Sequence, residues 1–224
     1  MKYEWIEEFL LKKAGVTRDI QEEWNWIRFH IGGKMFAAIC RDDDTNEPVY
    51  ITLKLEPVEG EFFRKEYEDI IPGYYMNKVH WNSVKADGNV PDEVLKDLLD
   101  KAYQVVFDSL SKKQRRQIIE DANLDNPLSA CGADCSQCGL FGNGCQGCNA
   151  SRGMGSHASE GKECKTYLCC RAKNCYVNCG ECDQLPCKLI YATKDPGVSD
   201  EEFNEYLEGA INRLKCDKTS QGKK

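Results

Sequence analysis

Twelve of the fourteen cysteines in this 224-residue chain lie between Cys131 and Cys187, with only Cys40 before them and Cys216 after. One residue type concentrated in this way does not belong to a single shared core, so the chain is expected to fold in parts with different chemistry. The boundary falls in "EDANLDNPLSA", residues 120–130, where Asn, Asp and Pro127 interrupt any helix. Three parts follow: residues 1–120, a cysteine-rich stretch 129–192, and a C-terminal helix with an unstructured tail over 193–224. The opening "MKYEWIEEFLLKKAG" carries Glu4, Glu7 and Glu8 where a secretion signal needs an apolar core. No apolar run reaches the length of a membrane span. A cytoplasmic, reducing setting is therefore expected, in which closely spaced thiols serve metal more often than disulfides.

The net charge of −7 limits the partners. Residues 1–124 hold 18 Lys and Arg against 24 Asp and Glu. A general nucleic-acid binder needs a cationic surface that releases counterions from phosphate, so any contact with DNA must come from a local patch.

The first part reads as α+β. "YEWIEEFLLKK" places Ile6, Phe9 and Leu10 on one helical face. "WNWIRFHI", the Gly32-Gly33 turn and "KMFAAIC" form a hairpin, and "VYITLKL" (49–55) alternates as a third strand. "GEFFRKEYEDI" reads as a short helix, "YYM" and "HWNSVKA" as two further strands. Pro91, Asp92 and Glu93 then start a long helix with Val94, Leu95, Leu98, Leu99 and Tyr103 on its core stripe. The order α-βββ-α-ββ-α predicts an antiparallel sheet covered by helices on one face. The basic run "KKQRRQ" (112–117) reads as the solvated end of a helix, where cations favour the C-terminal dipole.

"PGYYMNKVHWNSVKADGNVPDEVLKDLLDKAY", with "GGKMFAAIC" and "ITLKL" upstream, resembles the signature of the MmcQ/YjbR family over about residues 1–118. The resemblance implies a CyaY-like (frataxin-like) fold and a DNA-binding role through a double-wing arrangement. On that reading Lys78 meets a phosphate while Trp81 or Tyr75 stacks on a base. The plainer reading places Trp81 in the core of the sheet, lets Asn77 cap a turn and leaves Lys78 solvated. His30 and His80 are expected to be structural.

The cysteine-rich part opens C-x3-C-x2-C (Cys131, Cys135, Cys138), a spacing shared with radical-SAM enzymes. Fewer than ninety residues follow, too few for the barrel such a cluster requires. Three C-x2-C pairs stand out: Cys135/Cys138, Cys145/Cys148 and Cys179/Cys182. Two intervening residues let both sulfurs reach one ion at about 2.3 Å. The pattern resembles a cysteine-rich domain family of unassigned function, in which C-G-x-x-C-x-x-C, C-x-G-C, C-x4-C and C-x-x-C-x-x-x-P-C occur in turn. The matching residues are Cys131, Cys135, Cys138, Cys145, Cys148, Cys164, Cys169, Cys179, Cys182 and Cys187. Cys170 and Cys175 fall outside it. The resemblance implies bound metal, zinc first; acidic neighbours such as Asp134, Glu181 and Asp183 read as solvated loop residues, so a structural role is expected, while an iron–sulfur cluster, redox-active thiols or disulfides remain open on spacing alone. His157 reads as loop surface, and nothing marks a catalytic set.

The chain is thus expected to be a metal-containing binding or regulatory protein, with DNA as one partner. The alternative is a redox or metal-transfer unit carried by a protein-docking domain.

Overall fold

The computed structural model describes residues 2–158 and 161–221, with side chains to Lys215. The chain divides into two compact units, Met1–Ser111 and Lys112–Lys224. No helix of the described residues is long and apolar enough to cross a membrane.

The first unit is α+β, with a six-stranded antiparallel sheet in the order β1-β2-β3-β4-β6-β5. Helix α1 (Ile6–Leu11) leads into β1 (Val16–Gln21), β2 (Trp26–Ile31), β3 (Lys34–Arg41) and β4 (Pro48–Lys54). Helix α2 (Pro57–Glu66), β5 (Ile70–Pro72), β6 (Trp81–Lys85) and α3 (Asp92–Asp108) complete it. Gly32 and Gly33 turn β2 into β3 with φ of +56° and +78°, a conformation that β-carbon sterics reserve largely for glycine.

Register separates the two faces. Ile27 pairs with Ile39, Ile39 with Ile51 and Ile51 with Val84, so these residues share one face, and all are buried. Leu95, Leu98, Leu99, Ala102 and Val106 of α3 are buried as well, and α3 packs on β2, β3 and β4. This stripe is the main apolar core, and its burial drives the unit together.

Three details differ from the sequence reading. Strand β1 is not among the expected elements: its four middle residues are exposed, so it carries no apolar alternation to detect. The residues "YYM" do not form a strand. The chain leaves the sheet at Gly73, whose N–H bonds Trp81 O at 2.7 Å, and Tyr74 N–H goes to the Ser83 hydroxyl instead of a ladder partner. The run 112–117 opens helix α4 (Lys112–Ala122) rather than ending one.

Apart from α4 and one long helix at its end, the second unit has little regular structure. Its short helical pieces are α5 (Lys165–Tyr167), which widens into a π-helical stretch Leu168–Asn174, and α6 (Lys188–Tyr191). The long helix α7 spans Asp200–Gln221. The Ser199 side chain and Glu202 form a reciprocal cap at its start, as expected.

Two expected boundaries shift. Helix α4 belongs to the second unit, because buried Glu120 pairs there with Arg116 and Arg152 at 2.7 and 2.8 Å. Helix α7 is not a separate appendage either. Phe203, Leu207 and Leu214 join Ala130, Tyr167, Cys170, Cys179 and Ile190 in one apolar cluster. Residues 131–190 hold too few large apolar side chains to close a core, and α7 supplies the missing face. The helix continues through Gln221, into the segment read from sequence as an unstructured tail; residues 222–224 lie outside the described residues.

Candidate metal centre and aromatic face

Two of the three C-x2-C pairs sit on short backbone turns. Cys135–Gln137 and Cys179–Glu181 each form a single 3-10 turn. Asp134 Oδ1 accepts the Ser136 N–H at 3.0 Å, and Asn178 Oδ1 accepts that of Gly180 at 2.9 Å. Glu181 completes the second turn by accepting the N–H groups of Val177 and Asn178. A short polar residue before each first cysteine thus satisfies the donors that a turn leaves open.

The thirteen cysteines with described side chains are all free thiols. The fold gathers most of them around two cavities. Cys169, Cys170, Cys179, Cys182 and Cys187 line the first, which encloses about 30 Å³. The second, about 390 Å³, is lined by Cys135, Cys138, Cys145 and Cys148 with His157, Asp134, Tyr206 and Arg213. Each cavity therefore receives one of the two capped turns. Cys131 touches the Ser129 hydroxyl at 3.1 Å. Cys164 hydrogen-bonds His157, which also lies 3.6 Å from Cys148 Sγ. Cys175 lies apart, buried and directed to the Lys112 carbonyl at 3.8 Å.

Their electrostatics are those of crowded sulfur. The hydrogen bond from His157 holds Cys164 down at about 7, helped by the N–H groups of Tyr167 and Thr166, and the same bond raises His157. Backbone N–H groups of Ser156 and Gly147 lower Cys145. Burial raises Cys131 and Cys148. Cys179 is raised by its hydrogen bond with Cys170, then by burial and by Cys187. In each case desolvation or a hydrogen bond to the sulfur is the cause.

Thiolate sulfur in turns rich in N–H donors suits zinc or iron in kind. In convergence the match is looser: among the described residues, no three His, Cys, Asp or Glu side chains stand as they are in a geometry that could hold an ion. Side-chain rotation would have to bring the sulfurs of one cavity onto a common point. The spacing pattern leaves Cys170 out of the ligand set and places His157 on the surface; the fold puts both against a cavity. Only neighbourhood in space, which a pattern of spacings does not contain, separates Cys170 from Cys175.

In the first unit, segment 73–80 folds over the sheet face opposite the helices. Beneath it lie Ala38, Cys40, Thr52 and Ser83, all buried, with Cys40 Sγ 3.5 Å from Thr52 Oγ1 and Thr52 Oγ1 2.9 Å from Ser83 Oγ. A β-carbon on Gly73 would stand 2.8 Å from Trp81 Cβ, so only glycine fits where the segment departs.

Above this layer runs a chain of aromatic rings. Trp24 meets Trp26 edge-on at 5.4 Å, Trp26 meets Tyr75 at 5.3 Å, Tyr75 meets Tyr74 at 4.7 Å, and Tyr74 stacks on Tyr50 at 5.2 Å. Trp24, Tyr74 and Tyr75 are each more than half exposed, whereas Trp26 is buried. Lys78 is exposed on a turn held by Asn77, whose side chain accepts the Val79 N–H at 2.9 Å. Trp81 is half-buried in β6, paired with Lys54. Of the three expected contact residues, Tyr75 joins the aromatic chain. Trp24, Trp26 and Tyr50 escape sequence reasoning because they come from other segments, and Tyr74, although next to Tyr75, because its stacking on Tyr50 is a contact across the sheet. Burial, the Tyr74 ring and the acidic Asp43 nearby are among the causes that raise Tyr75.

The YjbR family profile matches residues 11–105. YjbR of Escherichia coli K12, described as uncharacterized, is 26% identical over 113 residues, covering 50% of this chain and 93% of its own. YbdF of Escherichia coli O157:H7, also described as uncharacterized, is 32% identical over 90 residues, covering 40% and 71%. Among solved structures, a Deinococcus radiodurans protein with the DUF419 domain is similar, at 28% identity and a TM-score of 0.46, covering 50% and 84%. A Pseudomonas syringae protein matches at 23% identity and a TM-score of 0.40, covering 47% and 98%. These matches cover at most half of the chain. Through that half, the chain belongs to the YjbR family.

Proposed function

We propose that this is a binding protein in which a metal–thiolate unit is joined to a YjbR domain that engages its partner through the aromatic face. The observation that supports the metal part is the grouping of nine free thiols around two cavities of a unit with a small apolar core. Zinc fits best, since it takes four thiolates or thiolates with histidine in a structural site without redox change. Bound metal would tie turns together that hydrophobic burial alone holds weakly. Elemental analysis of the purified chain tests this part: zinc supports it, iron favours the redox or metal-transfer alternative, and a metal-free folded protein overturns it.

For the YjbR domain, single-stranded DNA is the proposed ligand. The exposed rings of Tyr74 and Tyr75 offer faces for base stacking, and Lys78 offers a cation for phosphate. The acidic balance of residues 1–124, 18 Lys and Arg against 24 Asp and Glu, favours a second reading, a protein partner with a basic side chain. A fluorescence titration with oligonucleotides at rising salt separates the two. Salt-sensitive binding lost in Tyr75→Ala and Lys78→Ala supports DNA; no affinity at low salt overturns it.

A further inference from the structure

Among the described residues, Arg171 is the largest fully buried side chain, only 1% exposed. Its guanidinium donates to the Tyr176 carbonyl at 3.4 Å and to Asn149 Oδ1 at 3.1 Å, both neutral oxygens. Its Nε has no partner, and among the described residues no carboxylate pairs with it. Arginine is almost never fully buried unless paired, because an uncompensated charge loses its hydration. Those two oxygens and the Tyr167 ring, whose centroid lies 5.8 Å from its Cζ, leave the cation without a full counter-charge, so a negative charge nearby would stabilise it.

The neighbours of Arg171 say where that charge resides. Cys169 and Cys170 precede it in the π-helical stretch Leu168–Asn174, a widened turn of a type that recurs at functional sites. Cys169 and Cys170 line the 30 Å³ cavity together with Cys179, Cys182 and Cys187. The Tyr176 carbonyl that accepts from Arg171 also accepts from Cys170 Sγ at 3.5 Å, and Tyr176 lines the same cavity. A space of that size holds about one water-sized particle. It is therefore large enough for a single ion and too small for a substrate. A divalent ion with four thiolates carries two negative charges in excess, an anion that a buried guanidinium stabilises.

We propose that Cys170, Cys179 and Cys187, with Cys169 or Cys182, form one closed metal–thiolate centre whose buried counter-charge is Arg171. This rests on the metal reading above and goes beyond it in three respects: it adds Cys170 to the ligands, separates these thiols from those of the larger cavity, and assigns a role to Arg171. The larger cavity, with His157, Asp134 and Arg213 on its walls, is a different kind of site.

The full chain, loaded with zinc or with cobalt, provides the test. Cys170→Ser should lose one metal equivalent and the corresponding share of the cobalt–thiolate absorption, whereas Cys175→Ser should keep the full complement. In the wild type, graded chelation should expose Cys170 to alkylation in the same step as Cys179 and Cys187. That measurement decides the matter if Cys170→Ser fails to fold. Arg171→Met should weaken metal binding by about tenfold, as expected for one lost charge-assisted interaction. It should destabilise the metal-free chain less than the metal-loaded one, because without metal only its contacts with neutral groups are lost. A wild type without metal would overturn the metal reading and this assignment together. A metal-loaded wild type whose Cys170 is alkylated while the metal stays bound would overturn the assignment alone. So would an Arg171→Met variant that loses stability equally with and without metal.

Discussion

Cys138 and Cys182 close their turns with the same backbone angles, φ −91° and ψ 126°. Each stands three residues after the first cysteine of its pair, and each donates its N–H to that cysteine's carbonyl at 3.1 Å. The two segments, Asp-Cys-Ser-Gln-Cys and Asn-Cys-Gly-Glu-Cys, are one local design used twice. Removing the cap should loosen each turn. Asn178→Ala should cost about 1–2 kcal/mol and Asp134→Ala, whose cap is more exposed, about 1 kcal/mol. Thermal unfolding of the two variants under fixed metal concentration checks the order.

Metal removal should act on one unit only. All four tryptophans lie in the first unit, so their fluorescence reports it alone. With chelator and reductant, amide exchange should accelerate across residues 129–215 while the tryptophan emission and its thermal transition stay in place. Unchanged protection in the cysteine-rich unit would show that its apolar cluster suffices.

Gly73→Ala should destabilise the first unit by about 1–3 kcal/mol. The added methyl meets Trp81 Cβ at 2.8 Å and the Trp81 carbonyl oxygen at 3.0 Å, and backbone cannot swing aside as a side-chain tip can. Urea unfolding followed by tryptophan emission measures it.

Within the aromatic chain, support and contact are separable. Trp26→Ala removes a buried ring packed on Ala38 and Cys40 and should cost about 3–5 kcal/mol. Tyr75→Ala removes an exposed ring and should cost about 1 kcal/mol, the value of its contacts with Trp26 and Tyr74. A Tyr75 variant that unfolds like the Trp26 variant would remove the case for a binding face.

Alkali should weaken the first unit. Burial pushes the Cys40 thiol up to about 11 from 9.0 and the Tyr103 hydroxyl to about 12 from 10.0. The unfolded chain releases these protons first, so above pH 9 it binds fewer protons than the folded one and stability falls. The loss should develop between pH 9 and about 12 and reach a few kcal/mol, since each tenfold difference in proton affinity between folded and unfolded chain contributes about 1.4 kcal/mol. Cys40→Ala should remove the part that begins near pH 9, as read by denaturant midpoints at each pH.

The long periodic elements can be read from the sequence because burial imposes period on them: the stripe of α3, the alternation of β4 and the Gly32-Gly33 turn all announce themselves. Strand β1 does not, since an edge strand exposed over its middle has no apolar rhythm. Tyr74 to Met76 mislead for the opposite reason. Their composition is that of a strand, but Gly73 and the Ser83 hydroxyl divert the backbone from the ladder. At the candidate site the C-x2-C pairs are visible as local turns. The grouping of Cys170 with Cys179, and the burial of Arg171 beside them, depend on contacts between distant segments.

Helix α7 lies against the backbone just before the first cysteine turn, at Gly132, and within the second, at Gly180. A β-carbon on Gly132 would stand 2.6 Å from the Ala210 carbonyl oxygen, and one on Gly180 would stand 2.8 Å from that of Leu214. Since α7 follows every cysteine of the two cavities, the ribosome makes all the sulfur donors before it makes the helix that closes over them. During that interval the nascent thiols are open to solvent, to incoming ions and to oxidants alike. Any ligand of these thiols therefore has the time of translating residues 188–215 in which to meet them before the helix packs beside them.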